Sequence, residues 1–585
     1  MSWMGSPVCI PRFVRYFALV CDYDGTIASD GRVDDPTRQA LERLRASGRK
    51  LLLVTGRELH DLMAVFPHIH LFDCIVAENG ALVFAPGTRE TELLADAPSE
   101  EFVQELRRRG VAPLSVGRVI VATWKPNDAI VLQVIRDMGL ELQVIFNKGA
   151  VMVLPSGVNK ATGLRRALER LKLSPHNIVG VGDAENDHAF LATCECSVAV
   201  ANALESIKTR VDFVTTGDRG AGVAEVIDRL IASDLAELNA PVTRHHLVIG
   251  QTDSGTDVQL APHESVLLIA GPSGSGKTTV TTTFLEQLCN AGYQFCVFDP
   301  EGDYHEFPGA IALRGNDARA LVDEALSVLD RPAENVVVSL LDLRLEDRPA
   351  FLQLLLPRLL EMRAATARPH WIVLDEAHHL LPAAWRPSDS IVPGQLNTLA
   401  LVTVHPDNVA PAVLRLVDTL IVVGREPQGT LDAFARGRGE EAVLLPEHGE
   451  DQTPAWLVRV GSSPVRFRVS EPEGDRRRHQ RKYSEGELGE DISFYFRGPE
   501  GRLNLRAQNL ELFMQLADGV DDETWQFHVQ RHDVSEWFRT VIKDESLAAD
   551  AADVEVQGDL SPDESRARIR EAIQRRYTTS AGRSS

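Results

Sequence analysis

Long apolar runs, paired cysteines and surplus basic side chains are all scarce in this chain of 585 residues. No apolar run approaches the roughly 20 residues that a membrane-crossing helix needs, and prolines and arginines interrupt the opening segment. The 7 cysteines show no framework of paired spacings, which favours a reducing compartment over a disulfide-stapled secreted protein. We therefore expect a cytoplasmic protein that has no membrane partner.

Basic residues are outnumbered: 61 Lys and Arg stand against 84 Asp and Glu, for a formal net charge of -23. A field of this sign repels polyanions, so a dedicated nucleic-acid binder is not favoured, although a local DNA groove stays open. The composition, 44% hydrophobic and 25% charged, is that of folded globular protein. The length exceeds what one hydrophobic core supports, so we expect several domains.

Short apolar runs in the first third of the chain have the character of buried parallel strands. The run at 17–21 ends in Asp22-Tyr23-Asp24-Gly25-Thr26, so two carboxylates follow it at once. Ligands bind at the carboxyl ends of strands in open α/β sheets, and strand alternation leaves Asp22 and Asp24 on one side of the chain. One carboxylate is then suited to nucleophilic attack and the other to proton transfer.

Two further apolar runs end in groups of complementary chemistry. The second run precedes Thr55, whose hydroxyl suits a phosphate, and the third precedes Asp183 and Asp187, whose carboxylates suit magnesium. Lys160, ahead of a predicted helix, supplies a cation for a developing phosphoryl charge. Each of these four motifs, taken alone, is also explained as an ordinary polar cluster at a strand end. The four motifs together, in this order, predict a phosphoryl-transfer site.

With these motifs, residues 16–232 resemble the haloacid dehalogenase superfamily, in the Cof-like branch whose cap lies between the second and third motifs. The string Glu78-Asn79-Gly80-Ala81 is also typical of that branch. The resemblance implies an α/β fold, with a Rossmann-like core in a domain at 1–235 and a small α+β cap at about 84–155. It implies that Asp22 is the nucleophile of an aspartyl-phosphate mechanism and Asp24 the general acid and base. It also implies phosphoryl binding by Thr55 and Lys160, and Mg²⁺ binding by Asp22, Asp183, Asp187 and the backbone carbonyl of Asp24.

The brevity of the cap resembles that of archaeal phosphoglycolate phosphatases. This likeness implies a small phosphorylated metabolite, of the phosphoglycolate or sugar-phosphate type, as substrate. Arg118, Asn147 and Lys148 are candidate substrate contacts, although each is also explained as an ordinary surface group of the cap.

A second phosphate-binding pattern lies near the middle of the chain. A predicted strand at 265–270 runs into Gly271-Pro272-Ser273-Gly274-Ser275-Gly276-Lys277-Thr278, and a helix follows. Backbone N–H groups of such a loop cradle phosphates, its lysine reaches the terminal phosphates and its threonine holds magnesium. The residues predicted to bind ATP are Gly271, Ser273, Gly274, Ser275, Gly276, Lys277, Thr278, Thr279 and Asp375, with Thr278 also a metal ligand.

A pair of acids ends a later predicted strand at 371–374. Asp375 is suited to a position near the metal, and Glu376 is suited to activating water. This order, with one strand between the P-loop unit and the two acids, is that of ATPases. We assign that strand to 335–340. His378 and His379 follow, and as neighbours on a helix they are expected to point apart.

Residues 243–470 resemble the HerA/FtsK group of P-loop ATPases in DPEGDY at 299–304 and VTVHPDNVAP at 402–411. The resemblance implies a RecA-like domain, placed at 236–470 with a short β element at its start, and a homo-oligomer formed through it. The family's Thr-Gln-Arg-Pro pattern is replaced here by Thr403-Val404-His405-Pro406, which weakens the expectation of γ-phosphate sensing and motor action.

The last part of the chain, 471–585, shows no catalytic pattern. Its basic run at 476–482 favours a solvated linker, with nucleic-acid contact as the alternative, because no aromatic residues interleave it. Apolar residues at helical spacing then predict a small helical domain, and Ser561 begins a capping box for the final helix. The predicted aromatic core comprises Phe513, Trp525, Phe527, Trp537 and Phe538.

Two phosphate sites in one acidic chain favour an enzyme, a metabolite phosphatase that a fused ATPase regulates or assembles. Two alternatives stay open at this stage. One is a HerA-like nucleic-acid-associated ATPase with an end-trimming phosphatase, and the other is a polynucleotide phosphatase/kinase. Glu376 beside Asp375 favours water over a hydroxyl as the phosphoryl acceptor.

Overall fold

The structure is a computed structural model that describes residues 14–147, 149–238, 243–263, 265–386, 396–446, 455–472, 493–542, 544–557 and 560–577. The chain divides into two compact units, one up to Ser470 and one from Glu471 onward. The segment Asn239-Ala240-Pro241, whose sequence predicts the linker between the first two domains, lies outside the described residues, and so does the basic run at 476–482.

The first sheet contains the three apolar runs that precede the phosphatase motifs. Its strands are β1 Ala18–Cys21, β2 Lys50–Val54, β3 Cys74–Ala77, β4 Leu82–Ala85, β5 Glu90–Leu93, β10 Ile178–Gly182, β11 Cys196–Ala199 and β12 Phe213–Val214. They are ordered β12-β11-β10-β1-β2-β3-β4-β5, and β1 pairs in parallel with both β10 and β2. Every residue of β1 is buried, as expected for a strand covered on both faces.

Helices cover this sheet and position one catalytic candidate. They are α1 Asp35–Ala46, α2 Leu59–Val65, α5 Lys160–Leu171, α6 His188–Thr193, α7 Glu205–Lys208 and α8 Arg219–Ser233. The Asn159 side chain accepts from the N–H groups of Ala161 and Thr162 and thereby caps α5. This N-terminal capping interaction fixes the first residue of the helix, Lys160, at the edge of the sheet.

The cap is a separate four-stranded antiparallel sheet with two helices. Its elements are α3 Glu100–Arg108, β6 Ser115–Val116, β7 Val121–Trp124, α4 Asp128–Asp137, β8 Leu142–Asn147 and β9 Ala150–Pro155. The strands are ordered β6-β7-β9-β8. The predicted start at about 84 is too early, because β4 and β5 pair as a hairpin on β3 and belong to the first sheet. The cap elements begin with α3 instead.

The second sheet carries the P-loop. Its strands are β13 Leu247–Gln251, β14 Asp257–Leu260, β15 Val266–Ala270, β16 Phe295–Asp299, β17 Ile311–Leu313, β18 Val336–Ser339, β19 Trp371–Leu374, β20 Leu399–Thr403, β21 Thr419–Val423, β22 Ala455–Arg459 and β23 Val465–Val469. They are ordered β14-β13-β23-β22-β21-β15-β20-β19-β16-β18-β17. The short β element expected before the P-loop, β13 and β14, is therefore part of the same sheet.

The strand between the P-loop strand and the acidic strand is β20, which pairs in parallel with β15 on one side and β19 on the other. The assignment of this place to 335–340 is wrong, because that segment forms β18 on the far side of β16. One strand does intervene, but it follows Asp375 in the chain.

The helices of this region are α9 Lys277–Ala291, α10 Ala318–Leu329, α11 Arg348–Thr366, α12 Ala377–Leu380, α13 Pro411–Leu414 and α14 Pro427–Arg438. Across all described residues, no helix combines the length and apolar character needed to cross a membrane.

The second unit combines a small hairpin with a helical core. Its elements are β24 Phe494–Phe496, β25 Leu505–Ala507, α15 Leu510–Gly519, α16 Asp522–Gln530, α17 Asp533–Trp537, α18 Glu545–Val556 and α19 Pro562–Tyr577. Of the five predicted core aromatics, four are buried and Phe527 is half-buried. The capping box is present, because the Ser561 hydroxyl accepts from the Glu564 N–H and the Glu564 carboxylate accepts from the Ser561 N–H.

Candidate active sites

Three carboxylates from distant parts of the chain meet at the edge of the first sheet. Asp22, Asp183 and Asp187 are buried, and an oxygen of each lies within 4.8 Å of an oxygen of the others. Lys160 joins them, with its Nζ 2.5 Å from an Asp22 oxygen and 2.6 Å from an Asp187 oxygen. The first sheet thus brings together four of the residues predicted to form the phosphatase site.

The convergence follows from the register of neighbouring parallel strands. Cys21 of β1 lies opposite Val181 of β10, so the residues after both strands emerge side by side. The turn after β10 is held by Asp187, whose Oδ2 accepts from the N–H groups of Asp183 at 2.8 Å and Ala184 at 2.9 Å. This turn directs both acids toward Asp22.

The electrostatics of this acidic group fit a divalent cation. Burial raises the pKa of Asp22, the Asp187 charge adds to the rise, and Lys160 opposes it. Burial alone would lower the pKa of Lys160, but the charges of Asp187 and Asp22 outweigh it and raise that pKa. Within the group, three carboxylates share one ammonium, and carboxylate oxygens are the ligands that Mg²⁺ prefers.

Asp24 lies apart from the three clustered carboxylates. Its carboxylate receives two hydrogen bonds from the Arg57 guanidinium, from Nε at 2.6 Å and from Nη2 at 2.8 Å. Its side chain is 44% exposed, as a group that exchanges protons with substrate requires. The structure therefore offers Asp24 for proton transfer, and its carboxylate is not among those that would hold the metal.

Arg57 is a site residue to which the sequence analysis gave no role. It lies two residues after Thr55, which is buried and whose hydroxyl accepts from the Arg57 N–H at 3.1 Å. Its guanidinium also contacts Asp61 at 2.5 Å. The signal available in the sequence was its position just beyond β2, at the sheet edge that Thr55 shares.

The cap reaches this edge of the sheet through β9. A methyl group added at Gly56, beside Thr55, would contact the Met152 sulfur at 3.5 Å. Of the candidate substrate contacts, Arg118 is exposed, Asn147 is half-buried and Lys148 lies outside the described residues. Met152 is thus a cap residue near the site that the sequence did not indicate.

The P-loop occupies the predicted strand-to-helix connection, between β15 and α9. Gly274 and Gly276 have φ values of 73° and 98°, which favour glycine. A Cβ at Gly271 would lie 2.2 Å from the Val423 carbonyl oxygen, so glycine is required there as well. The other predicted loop residues line the same turn: Ser273 is exposed, and Ser275, Thr278 and Thr279 are half-buried.

Charged groups gather beside the P-loop lysine. Lys277 is buried, and its Nζ donates to the Pro272 carbonyl at 3.0 Å. Burial lowers the pKa of Lys277, while the charges of Glu376 and Asp375 oppose that shift. Burial raises the pKa of both acids, and the Glu376 charge adds to the rise at Asp375. The acids predicted for metal binding and water activation thus lie within electrostatic reach of Lys277.

His378 connects the end of β20 to this acidic pair. Its Nδ1 lies 3.0 Å from the Thr403 hydroxyl and 3.3 Å from a Glu376 carboxylate oxygen. The expectation that His378 and His379 point apart is wrong, because their ring centroids lie 4.0 Å apart. The reason is local: α12 is a four-residue helix, and its rings tilt toward each other.

The DPEGDY segment adds Asp303, which was not singled out from the sequence. The Asp299 carboxylate accepts from the N–H groups of Gly302, Asp303 and Tyr304 at 2.8 to 2.9 Å. This compact turn directs Asp303 at the P-loop, where its Oδ2 accepts from the Thr278 hydroxyl at 3.3 Å. A third acid therefore accompanies Asp375 and Glu376.

Comparison with known proteins confirms the haloacid dehalogenase resemblance of the first region and assigns the second region to a P-loop ATPase-type domain. The haloacid dehalogenase-like hydrolase family matches residues 19–111 and 133–227, and an AAA domain family matches 261–415. Phosphoglycolate phosphatase of Methanothermobacter thermautotrophicus is 29% identical over 228 residues, which cover 37% of this chain and 98% of that protein. Phosphoglycolate phosphatase of Haloarcula marismortui is 30% identical over 220 residues, 36% of this chain and 95% of that protein.

A similar solved structure is that of a haloacid dehalogenase-like hydrolase from Bacteroides thetaiotaomicron. It is 21% identical, with a TM-score of 0.33, and the match covers 37% of this chain and 100% of that one. The predicted fold class, an α/β core followed by a P-loop domain, agrees with the two family matches.

Proposed function

Because the chain belongs to the haloacid dehalogenase-like hydrolases, we propose that residues 1–235 form a magnesium-dependent phosphatase that hydrolyses a small phosphorylated metabolite. The substrate is a phosphomonoester of the phosphoglycolate or sugar-phosphate type, as the names of the similar phosphatases suggest. The observation that carries the proposal is the gathering of Asp22, Asp183 and Asp187 around the Lys160 ammonium.

The chain's own residues can perform both halves of the reaction. A carboxylate oxygen of Asp22 attacks phosphorus, and the bond to the leaving oxygen breaks as Asp24 donates its proton to that oxygen. Water then attacks phosphorus and gives its proton to Asp24, which releases inorganic phosphate and restores the Asp22 carboxylate. Lys160 and Thr55 hold the phosphoryl oxygens during both steps.

Asp22, Asp183 and Asp187 are the residues that would hold Mg²⁺. When bound, the ion neutralises the repulsion between the phosphate and the Asp22 carboxylate. The fit rests on three buried oxygen donors within 4.8 Å of one another.

The cap supports a small substrate. Met152 packs in one apolar cluster with two cap residues, Val119 and Ile120, and with Ala81 of the core. This cluster brings the cap onto the edge of the sheet beside Gly56. We propose that a cap packed this closely on the core accepts a small leaving group.

The second region, residues 236–470, is proposed to bind and hydrolyse ATP. The P-loop N–H groups and Lys277 hold the phosphates, and Thr278 and Asp375 are the residues that would hold Mg²⁺. Glu376 is proposed to accept the proton of the attacking water, since burial raises its pKa and favours proton uptake. The ATPase is proposed to regulate or assemble the phosphatase.

Single substitutions in the full chain separate the two activities. We expect Asp22→Asn to abolish Mg²⁺-dependent phosphate release from a panel of small phosphomonoesters and to leave ATP hydrolysis intact. Lys277→Ala should do the reverse. The matched control is Asp30→Asn, an exposed acid in the same loop whose removal should leave both activities unchanged. Phosphomonoester hydrolysis that persists in the Asp22 variant would remove the phosphatase assignment.

A further inference from the structure

Two histidines meet a buried glutamate away from both candidate active sites. Glu195 precedes β11 and is 1% exposed. His176 Nδ1 lies 2.6 Å from its Oε2, and His245 Nε2 lies 3.6 Å from the same oxygen. One ligand atom from each of the three residues lies within 4.8 Å of the other two. The cluster joins the first sheet's region, with His176 and Glu195, to the segment that leads into β13, with His245.

Neighbouring groups keep the Glu195 carboxylate ionised and oriented. Arg15 forms an ion pair with Oε1, and the Tyr293 hydroxyl lies 3.1 Å and 3.0 Å from the two oxygens. The guanidinium and the hydroxyl both favour the carboxylate form of this side chain and hold it in place. Glu195 is therefore an anionic oxygen donor with a fixed direction.

The His176 ring is arranged as metal-ligating histidines usually are. Its Nε2 lies 2.8 Å from the Ala291 carbonyl oxygen, and because a carbonyl only accepts, Nε2 carries the hydrogen. Metal-bound histidines commonly donate their other ring N–H to a backbone carbonyl in this way. Nδ1 faces the Glu195 carboxylate at hydrogen-bond distance, and a metal ion that binds both groups would displace the proton between them.

His245 presents a second nitrogen to the same point. Its Nε2 is buried and makes no hydrogen bond among the described residues, although it faces the Glu195 oxygen. A buried ring nitrogen without a hydrogen-bond partner is an available metal ligand.

We propose that His176 Nδ1, a Glu195 oxygen and His245 Nε2 bind a divalent transition-metal ion of the zinc type. Two imidazoles and one carboxylate form a donor set that zinc uses with its fourth position open, whereas magnesium prefers oxygen alone. A cavity of about 530 Å³ lined by His176 and His245 leads to the cluster, so water can complete the coordination.

The metal would hold the two regions of the first unit together. Tyr293, which follows α9, stacks on the His176 ring with centroids 3.7 Å apart. One ligand and this stacking contact come from the ATPase region, and two ligands come from the phosphatase region. The site is therefore structural, distinct from the magnesium sites, and independent of the proposed phosphatase chemistry.

Cobalt binding to the full chain tests the site without an activity readout. The protein is stripped with a chelator, titrated with Co²⁺, and followed by visible absorption and by metal analysis after desalting. The background carries Asp183→Asn and Asp375→Asn, which weaken both predicted magnesium sites, so that the stoichiometry reports this cluster. We expect one retained Co²⁺, with the absorption of a low-coordinate nitrogen and oxygen site, displaced by Zn²⁺.

Two substitutions decide the outcome. His245→Gln keeps a similar side-chain volume and should weaken Co²⁺ binding at least tenfold, while the matched His246→Ala, one residue away, should bind as the parent does. A circular dichroism spectrum equal to the parent's shows that each variant folds. If the parent retains no Co²⁺, or if His245→Gln binds it as tightly, a proton on His176 holds the cluster together and the proposal is wrong.

Discussion

Arg57 controls the direction of the proposed general acid and base. Its guanidinium meets both Asp24 oxygens and an Asp61 oxygen, so the Asp24 carboxylate is fixed before substrate binds. A lysine at position 57 would keep the positive charge but not the planar guanidinium. A single ammonium cannot reproduce the two parallel hydrogen bonds to the Asp24 carboxylate. Arg57 is therefore a positioning residue for Asp24.

We predict that Arg57→Lys lowers kcat for phosphomonoester hydrolysis by about 10- to 100-fold, because general acid and base catalysis depends on this geometry. KM should change much less, since Lys160 and Thr55 remain in place. Steady-state kinetics over a range of pH measures both parameters. Asp61→Ala is the control, because it removes the other Arg57 contact and leaves the Asp24 fork; an equal kcat loss in both variants would contradict the argument.

Asp303 has a comparable role at the ATPase site. Its carboxylate accepts from the Thr278 hydroxyl, the group proposed to hold Mg²⁺. Partners that orient metal ligands typically contribute 10- to 100-fold to metal affinity or activity. We predict that Asp303→Asn lowers ATP hydrolysis by about that factor and raises the Mg²⁺ concentration needed for half-maximal rate. Glu306→Gln, an exposed acid beyond the same turn, should behave as the parent chain.

At the scale of elements, the turn after β3 links the core, the cap and α5. Glu78 and Asn79 have positive φ values of 50° and 55°, and a Cβ on Gly80 would lie 1.9 Å from the Asn159 carbonyl oxygen. The turn therefore packs directly against the start of α5, where Lys160 lies. On its other side, the Glu78 carboxylate accepts from the N–H groups of Arg118, Val119 and Ile120 at 2.7 to 3.0 Å.

Glu78 thus ties one loop of the cap to the core, and Glu78→Gln should loosen that loop. Hydrogen bonds to a charged acceptor contribute about 1.5 to 3 kcal/mol each, so we predict at least about tenfold faster hydrogen exchange at amides 118–120. Mass spectrometry of deuterium uptake measures this change. Glu58→Gln removes a contact to Ser115 of the same cap sheet and should leave these amides protected; equal exchange in both variants would contradict a specific clamp.

The strands and their motifs were predictable because each apolar run is buried on both faces and ends in polar residues. The start of the cap was not, since β4 and β5 lie between the second and third motifs, where this branch carries its cap, and only pairing with β3 assigns them to the core. The place of β20 was missed because lateral order in a sheet does not follow chain order. The orientation of the Asp24 carboxylate could not be predicted, because it depends on Arg57, a contact that spacing cannot show.

At the scale of the whole first unit, helix α5 connects the two regions. Its first residue, Lys160, contacts Asp22 and Asp187, and the carbonyl of the residue after its end, Lys172, accepts from Arg368 Nη2 at 3.0 Å. Arg368 is fully buried and also donates to Gln294 and to the Leu329 carbonyl, both at 2.9 Å. Burial lowers the pKa of Arg368 to about 10, so it remains charged at neutral pH.

Arg368 lies three residues before β19, the strand that ends at Asp375 and Glu376. A change in that strand when nucleotide binds would therefore reach Lys160 through α5. We predict that saturating ATP changes kcat/KM of the phosphatase by about fivefold or more in the parent chain, the size of a typical coupling between sites. In Arg368→Gln, the effect of ATP should fall below about twofold, while both activities, assayed separately, persist.

The matched control for this coupling is Lys172→Ala. It removes an exposed ion pair with Asp330 but keeps the backbone carbonyl that Arg368 holds, so the effect of ATP should match that of the parent. Phosphatase kinetics with and without ATP, measured on all three proteins, give the comparison. A full ATP effect in Arg368→Gln would mean that the coupling takes another route. No ATP effect in the parent would mean that the fused ATPase does not regulate the phosphatase. Helix α5 can change the phosphatase site only if nucleotide binding changes the contacts at its far end.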